Sequence, residues 1–318
     1  MPLGTGATPA PKRDKVVSQG LSHQALIYSS ETQLADATAA FVRLGLEVGD
    51  PVLVVARPQS LNALRAELGS DADLIELHES TAWFPHPFQR LQELRRLVAE
   101  VREGNFLRVI DERVLGRSGA SAREWARYDS VINRVLAEAP LRLVCLFHES
   151  SLPQPVLAAA VRTHPELIEK GAAVASAEFV PPGRFLPGTP PAPPDGAVTL
   201  PLPWSELRVA VREHAERLGM TPERADDVVL AVQEVATNAD LHGAPPVRAQ
   251  LWEHDGELVC QVVDGGAGGL DPLTGWVPPD DPGGGGWGLP IARLTCDAVE
   301  IGAGTGRTVV TLFMSLDR

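Results

Sequence analysis

The stretch that most constrains this chain runs from Thr221 to Gly243. It reads as one helix with both ends marked. Thr221 suits the cap, and Pro222 suits the first helical position, where no N–H is needed. Gly243 is expected to take the left-handed conformation that ends many helices. Ala225, Val228, Val229, Val232, Val235, Ala236 and Ala239 recur at helical spacing and give a face to bury. Glu234, Asn238 and His242 are four apart, so they line up in a row on a neighbouring face. Asn is a poor helix former because its amide competes for backbone bonds. Asn238 therefore belongs either to a solvated polar stripe or to a site, and the helix alone does not decide.

Three glycine clusters downstream bear on that choice. The strand pattern Leu258–Val263 runs into Asp264-Gly-Gly-Ala-Gly-Gly. Gly283-Gly-Gly-Gly-Trp-Gly-Leu-Pro-Ile-Ala is a glycine loop that opens a short helix, and Gly304-Thr-Gly-Arg-Thr-Val-Val-Thr-Leu is a turn that feeds a last strand. Any one of these could be only a turn. In this order, after a Glu-x-x-x-Asn helix, they resemble the GHKL ATPase superfamily and, within it, the anti-sigma-factor serine kinases. The resemblance covers roughly the last third of the chain. It implies ATP and Mg²⁺ as cofactors, with Asn238 as the Mg²⁺ ligand and Glu234 as general base. Asp264 would bond the adenine amino group beside Gly266 and Gly268, and Thr308 would lie near the adenine. Gly286, Gly288 and Leu289 would cradle phosphates. The implied partners are a sigma factor and a STAS-domain anti-anti-sigma protein that accepts phosphate on Ser or Thr. A homodimer is compatible with the same resemblance.

The chemistry of these residue types agrees. Mg²⁺ keeps most of its waters and takes few protein ligands besides phosphate oxygens, so one Asn can suffice. Backbone N–H groups at a helix start suit an anion, and glycine lets phosphate approach closely. A carboxylate can accept the purine amino proton and so select adenine.

Composition narrows the alternatives. A formal net charge of −13 over 318 residues argues against a nucleic-acid-binding surface. The three cysteines, Cys145, Cys260 and Cys296, are far apart, with no zinc spacing and no disulfide framework, which suits a reducing cytoplasm. No apolar run approaches ~18 residues, so no membrane span is expected. Met1 to Gly20 lacks the apolar core of a signal peptide and reads as a disordered tail. The only lysines are Lys12, Lys15 and Lys170. No Gly-Lys-Ser/Thr loop exists, nor a strand lysine of the eukaryotic protein-kinase type, so any ATP must be held through backbone.

From His23 to about Phe179, strand patterns alternate with helical ones. Strands are expected at His23–Ser29, Asp50–Ala56, Leu74–Leu77, Leu107–Asp111 and Leu143–Phe147. Helices are expected at Glu31–Leu44 (ending at Gly45), Gln59–Leu68, Phe88–Arg102 and Arg123–Ala137. Such alternation argues a mostly parallel sheet covered on both faces, with ligands beyond the carboxyl ends of its strands. Several landmarks resemble the MEDS sensory domain, a RecA-like module. They are His-x-Ala-Leu-x-Tyr-Ser from His23, Gly45-Leu-Glu-x-Gly-Asp-Pro-Val-Leu-Val, Trp125-Ala-Arg-Tyr-Asp with Asn133, Cys145-Leu-Phe-His, and Arg162-Thr-His-Pro. Ser29-Ser-Glu stands where a RecA-like ATPase would carry its phosphate loop, so sensing of a small ligand, not ATP chemistry, is expected here. Phe147-His148 departs from the family's usual Tyr-Asp. His23, Trp83, His86, His148 and His164 are candidates, although core and capping histidines are commoner than functional ones. Trp83-Phe-Pro-His-Pro-Phe reads as a packed loop rather than a cofactor box.

Dense proline from Pro181 to Pro203 excludes helix and central strand and reads as a semi-rigid spacer. The expected division is a tail over 1–20, a MEDS-like sensory domain over 21–180, a linker over 181–197 and a histidine-kinase-like ATPase domain over 198–318. The fold class expected is α/β: an N-terminal RecA-like sheet, and a C-terminal GHKL (Bergerat) sandwich with helices on one face of a mixed sheet. Three activities compete. One is a serine/threonine kinase acting on the STAS partner. Another is a non-catalytic, ATP-dependent sigma-factor switch, suggested by the absence of Arg and Lys from Leu270 to Gly286, because phosphoryl transfer relies on cations. A sensor histidine kinase is the third. It would need a phosphoacceptor on a helical hairpin, whereas His214 is followed by Ala215-Glu216-Arg217 and preceded by the proline spacer.

Overall fold

The computed structural model describes residues 20–316, apart from 85, 114, 116–118, 186–189, 202–203, 267–270, 272, 282–284 and 305. The N-terminal half begins with strand β1 (Ser22–Tyr28), helix α1 (Glu31–Val48), β2 (Val52–Ala56) and α2 (Pro58–Leu68). There follow β3 (Glu76–Glu79), α3 (Pro87–Ala99), β4 (Leu107–Asp111), α4 (Gly119–Val135), β5 (Leu141–His148) and α5 (Gln154–Thr163). A hairpin of β6 (Glu166–Glu169) and β7 (Ala172–Ala175) closes this half. The seven strands lie in the order β3-β2-β4-β5-β1-β6-β7. Every pairing is parallel except that of β6 with β7.

Both faces of this sheet are buried: β2 is apolar at every position, and β4 and β5 are buried along nearly their whole length. Val52 and Val54 of β2 join Leu34, Val42, Leu61 and Leu64 under α1 and α2. Leu53 and Val55 of the same strand join Phe88, Leu91, Trp125 and Tyr128 under α3 and α4. Several expected bounds need correction: α3 ends at Ala99, not Arg102, and α4 begins at Gly119, not Arg123. Helix α1 does not stop at Gly45 but runs on to Val48, with Gly49 as the left-handed cap. Gly45 is glycine because a Cβ there would lie 2.5 Å from Arg108 Cδ. Strand β3 also starts two residues later than its pattern suggested, after a 3₁₀ turn over Gly69–Leu74.

The C-terminal half carries β8 (Val198–Thr199), α6 (Trp204–Arg217), α7 (Pro222–His242), β9 (Arg248–His254) and β10 (Glu257–Asp264). Helix α8 (Gly288–Thr295), β11 (Ala298–Gly304) and β12 (Arg307–Ser315) complete it. Its sheet runs β11-β12-β10-β9-β8. Each pairing is antiparallel, where a mixed sheet was expected. The turn at Asp255-Gly256, both with positive φ, joins β9 to β10 as a tight hairpin. One sheet face packs on α6, α7 and α8 through Leu207, Val211, Val228, Val232, Val235, Leu251, Cys260 and Leu312.

The opposite face is also covered. Trp252, Val259, Ala298 and Phe313 pack against Ala120 of α4. Buried charges line this junction. Glu300 of β11 takes Arg123 at 2.7 Å and Arg127 at 3.0 Å, and Glu124 takes Arg293 of α8 at 2.8 Å. Trp276, fully buried, belongs to the apolar cluster of the N-terminal half and stacks under Arg293. Its carbonyl accepts from Gln92 Nε2 of α3 at 2.9 Å, and Cys296 O accepts from His86 Nε2 at 2.8 Å. Arg134 pairs with Asp271. The two sheets are thus packed together, not merely tethered.

Candidate functional site

Helix α7 places the Glu-Asn pair. Thr221 accepts from Arg224 N at 3.3 Å and Pro222 follows it, so the start of the helix is fixed as its sequence requires. Arg224 then ties that end to the last turn of α8 and the residue pair after it, donating to Thr295 O at 2.8 Å and to Asp297 at 2.5 Å. One turn apart, Glu234 and Asn238 are half-buried and face the first residue of α8. A Cβ on Gly288 would stand 2.5 Å from Asn238 Nδ2 and 3.1 Å from Glu234 Oε2. Glycine is therefore required for the α8 backbone to reach these side chains. No side chain caps α8 after Trp287, so its opening amides are presented bare. Leu289 is half-buried behind them, and Gly286 is exposed with φ +96°.

Asp264 ends β10 and stands opposite Thr308 of β12 in the sheet register. Its Oδ1 accepts from Gly266 N at 2.8 Å. A Cβ on Gly266 would lie 2.6 Å from that oxygen and 3.7 Å from Thr308 Oγ1. Gly243 corrects an expectation: it is extended, with φ −83° and ψ −164°, not left-handed. A Cβ there would lie 2.6 Å from Asp264 Cγ, so glycine lets the end of α7 close onto the carboxylate. Helix α7 thus touches both ends of the site, α8 through Asn238 and Asp264 through Gly243. Gly268 lies outside the described residues. His242, third in the sequence row, is exposed at the end of the helix.

This donor set fits a magnesium-bound nucleotide. The Asn238 amide offers a hard oxygen, the glycine backbone forms a cradle that a Cβ would fill, and a carboxylate stands beside Thr308. Arg293, one of two arginines near the phosphate side in sequence, is turned away from it. It is buried, donates to Thr274 O at 3.0 Å and Val299 O at 3.1 Å, and pairs with Glu124. Burial pushes its pKa down to about 10 against the pull of Glu124. Arg307 is exposed beside Thr308. On α6, His214 Nδ1 accepts from Arg217 at 2.9 Å, and its buried Nε2 meets no partner. Burial, then Arg217, lowers its pKa. Among the described residues, no helix lies between α5 and α6.

The N-terminal candidates divide. His86 caps α3, accepting from Phe88 N, which is the commoner role for a histidine. Trp83 packs on Arg90. His148 accepts from Ser151 N in the turn after β5. His23 and His164 are buried with their rings 4.1 Å apart. The carboxyl ends of β1, β2 and β4 are joined by a network of Tyr28, Arg57 and Glu112. Tyr28 donates to Glu112 at 2.5 Å, and Arg57 donates to Glu112 at 2.6 Å and to Tyr28 at 2.6 Å. Burial and then Glu112 raise the Tyr28 pKa. Sequence reasoning did not find Trp276, Glu124 or Arg293 as residues joining the halves. A large aromatic residue, Trp276, in a Pro- and Gly-rich segment was the one available signal.

Residues 22–165 match the family profile of the methanogen/methylotroph DcmR sensory domain, MEDS. Residues 202–314 match the histidine kinase-like ATPase domain. The chain therefore pairs a MEDS sensory domain with a GHKL-like ATPase domain. No curated protein matches it. Among solved structures it is similar to the RsbU and RsbW domains of Rv1364c from Mycobacterium tuberculosis, at 21% identity over 38% of this chain and 33% of that one, with a TM-score of 0.29. It is also similar to the blue-light activated histidine kinase of Erythrobacter litoralis EL346, at 21% identity over 34% of this chain and 40% of that one, with a TM-score of 0.25. The histidine kinase domain of the latter aligns at 18% identity over 71% of this chain and 94% of that one, with a TM-score of 0.24. The chain thus spans well under half the length of the first two, and alignments this loose carry no argument. No helix among the described residues is long and apolar enough to cross a membrane.

Proposed function

We propose that this protein is an ATP-binding anti-sigma regulator whose C-terminal domain phosphorylates a Ser or Thr of a STAS-type anti-anti-sigma partner under control of the N-terminal domain. The supporting observation is the placement of Glu234 and Asn238 against the backbone of Gly288. In this reading Asn238 holds Mg²⁺, and the amides of Gly286, Gly288 and Leu289 receive the phosphates. Asp264 accepts the adenine amino proton beside Gly266, Gly268 and Thr308. Bound Mg²⁺ neutralises phosphate charge and orients the γ-phosphoryl group. Glu234 takes the proton of the incoming hydroxyl, as a positioned carboxylate can. Replacing it by Gln keeps the shape and removes the base. Glu234→Gln should bind MgATP as wild type does and transfer phosphate ~10²–10⁴-fold more slowly. A radiolabel assay with the partner reads this, and undiminished transfer would refute the assignment.

A second reading is a switch that holds a sigma factor in an ATP-dependent way without turnover. The burial of Arg293 against Glu124 favours it, since that arginine cannot then serve the phosphates. Wild type that retains the sigma factor but labels no partner would establish it. Acid-labile phosphate on this chain, lost in His214→Ala, would instead establish a histidine kinase.

A further inference from the structure

On the sheet face beneath α4 and α5, the apolar core of the N-terminal half encloses polar groups that the nucleotide site does not use. His23 at the start of β1, Asp129 on α4, Cys145 on β5 and His164 just past α5 each bring one ligand atom to within 4.8 Å of the others. All four are buried, His164 and Cys145 completely. Side chains from four separate elements converge here, though no sequence spacing announces them.

Hydrogen bonds fix both imidazoles in one tautomer. Asn133 spends its amide protons on Asp129 O at 3.0 Å and Thr163 O at 2.7 Å, so its Oδ1 must accept from His23 Nδ1, 2.9 Å away. His164 Nδ1 lies 2.8 Å from Ala160 O, which can only accept. Each ring therefore carries its proton on Nδ1 and a lone pair on Nε2, which in His23 faces the Cys145 thiol. Holding Nδ1–H on an oxygen is how proteins orient a ligating histidine. His23 Nε2 stands 3.5 Å from Cys145 Sγ. Two ligands on a tetrahedral zinc, with Zn–N and Zn–S bonds of roughly 2.0 and 2.3 Å, stand about 3.5 Å apart. His164 Nε2 is a buried acceptor with no partner, an arrangement that costs free energy unless something fills it.

We propose that His23, Asp129, Cys145 and His164 form a closed, four-coordinate site for a zinc-class divalent cation. Nitrogen and sulfur ligands select such an ion over Mg²⁺ or Ca²⁺. The neutral ring is the ligating form, and the Nδ1–H bonds to Asn133 and Ala160 leave Nε2 of each ring to ligate. Burial raises the Cys145 thiol. Binding the cation deprotonates that thiol, and the proton leaves to solvent. Arg113 takes Asp129 Oδ1 at 2.5 Å, which leaves the other carboxylate oxygen for the ion and offsets part of the anionic charge. With four protein ligands the site has no open position. It is structural, pinning β1, β5, α4 and the end of α5 together.

The test uses the untagged full chain, produced in minimal medium with zinc or with cobalt and gel-filtered in EDTA. About one equivalent of metal per chain is expected by mass spectrometry. The cobalt form should show tetrahedral visible bands and a near-ultraviolet thiolate-to-cobalt band. Cys145→Ser should lose the near-ultraviolet band, His164→Gln should hold only trace metal, and Cys260→Ser should match wild type. Where a variant does not fold, the metal content and cobalt spectrum of wild type decide. Only trace metal in wild type overturns the proposal. So does metal without the thiolate band, or metal that persists in folded His164→Gln.

Discussion

At the scale of single residues, glycines frame the proposed nucleotide site as much as the side chains do. Gly288 is held against Asn238 and Glu234, and Gly243 against Asp264, with no room for a methyl group at either place. Gly288→Ala should therefore displace the Asn238 amide and weaken MgATP binding while the chain still folds. Asn238→Ala should remove most of the Mg²⁺-dependent part of the affinity and leave the metal-free part. Titration calorimetry of the full chain with and without Mg²⁺ reads both, and MgATP binding unchanged in both variants would refute the site. The Glu234–Asn238 pair was legible in sequence because helical spacing sets which side chains align. The role of Gly243 was not. A glycine after a helix usually signals a left-handed turn, and only the position of Asp264, at the end of the second strand onward, makes it a close contact instead.

At the scale of elements, the sequence pattern was most informative where burial is simple. The apolar runs of β2, β4 and β5 are buried on both faces, and the hairpin at Asp255-Gly256 forms where its turn chemistry indicates. Helix α5 and the β6–β7 hairpin gave no such signal. Ala172–Ala175 has little β-branched character, and its strand exists because β6 is there to pair with it. No sequence signal marked the charges of α4 as buried, yet Glu124 and Arg127 are buried against α8 and β11. Burial converts a weak surface pair into one that is costly to break. Glu124→Ala should destabilise the full chain by ~3–5 kcal/mol in urea unfolding, with Glu124→Gln losing less. A loss no larger than that of an exposed pair such as Arg96–Glu100 would show that the junction is not closed in solution.

At the scale of the molecule, the proline-dense stretch between the sheets suggested two bodies held near one another. Instead, α4 of the first covers the sheet face of the second that its own helices leave bare. Residues 197–318 alone would expose Trp252, Val259 and Phe313 together. That piece should self-associate or unfold at lower temperature than the full chain, as light scattering and calorimetry would detect. A monomer as heat-stable as the full chain would refute this dependence.

Trp276 follows β10 in sequence but is seated among Phe88, Leu91 and Trp125 of the N-terminal half. Anything that steadies the nucleotide site steadies that seat as well, and thermodynamic reciprocity requires the converse to the same degree. Amide exchange makes the connection measurable. MgATP should slow exchange not only around Gly288 but also in Pro87–Ala99 and Gly119–Val135, helices that carry none of the proposed nucleotide ligands. Trp276→Ala should erase the distant protection and keep the local one. Distant protection that survives the substitution would mean that the two halves communicate through the other junction contacts, Glu124–Arg293 and Glu300 with Arg123 and Arg127 among them.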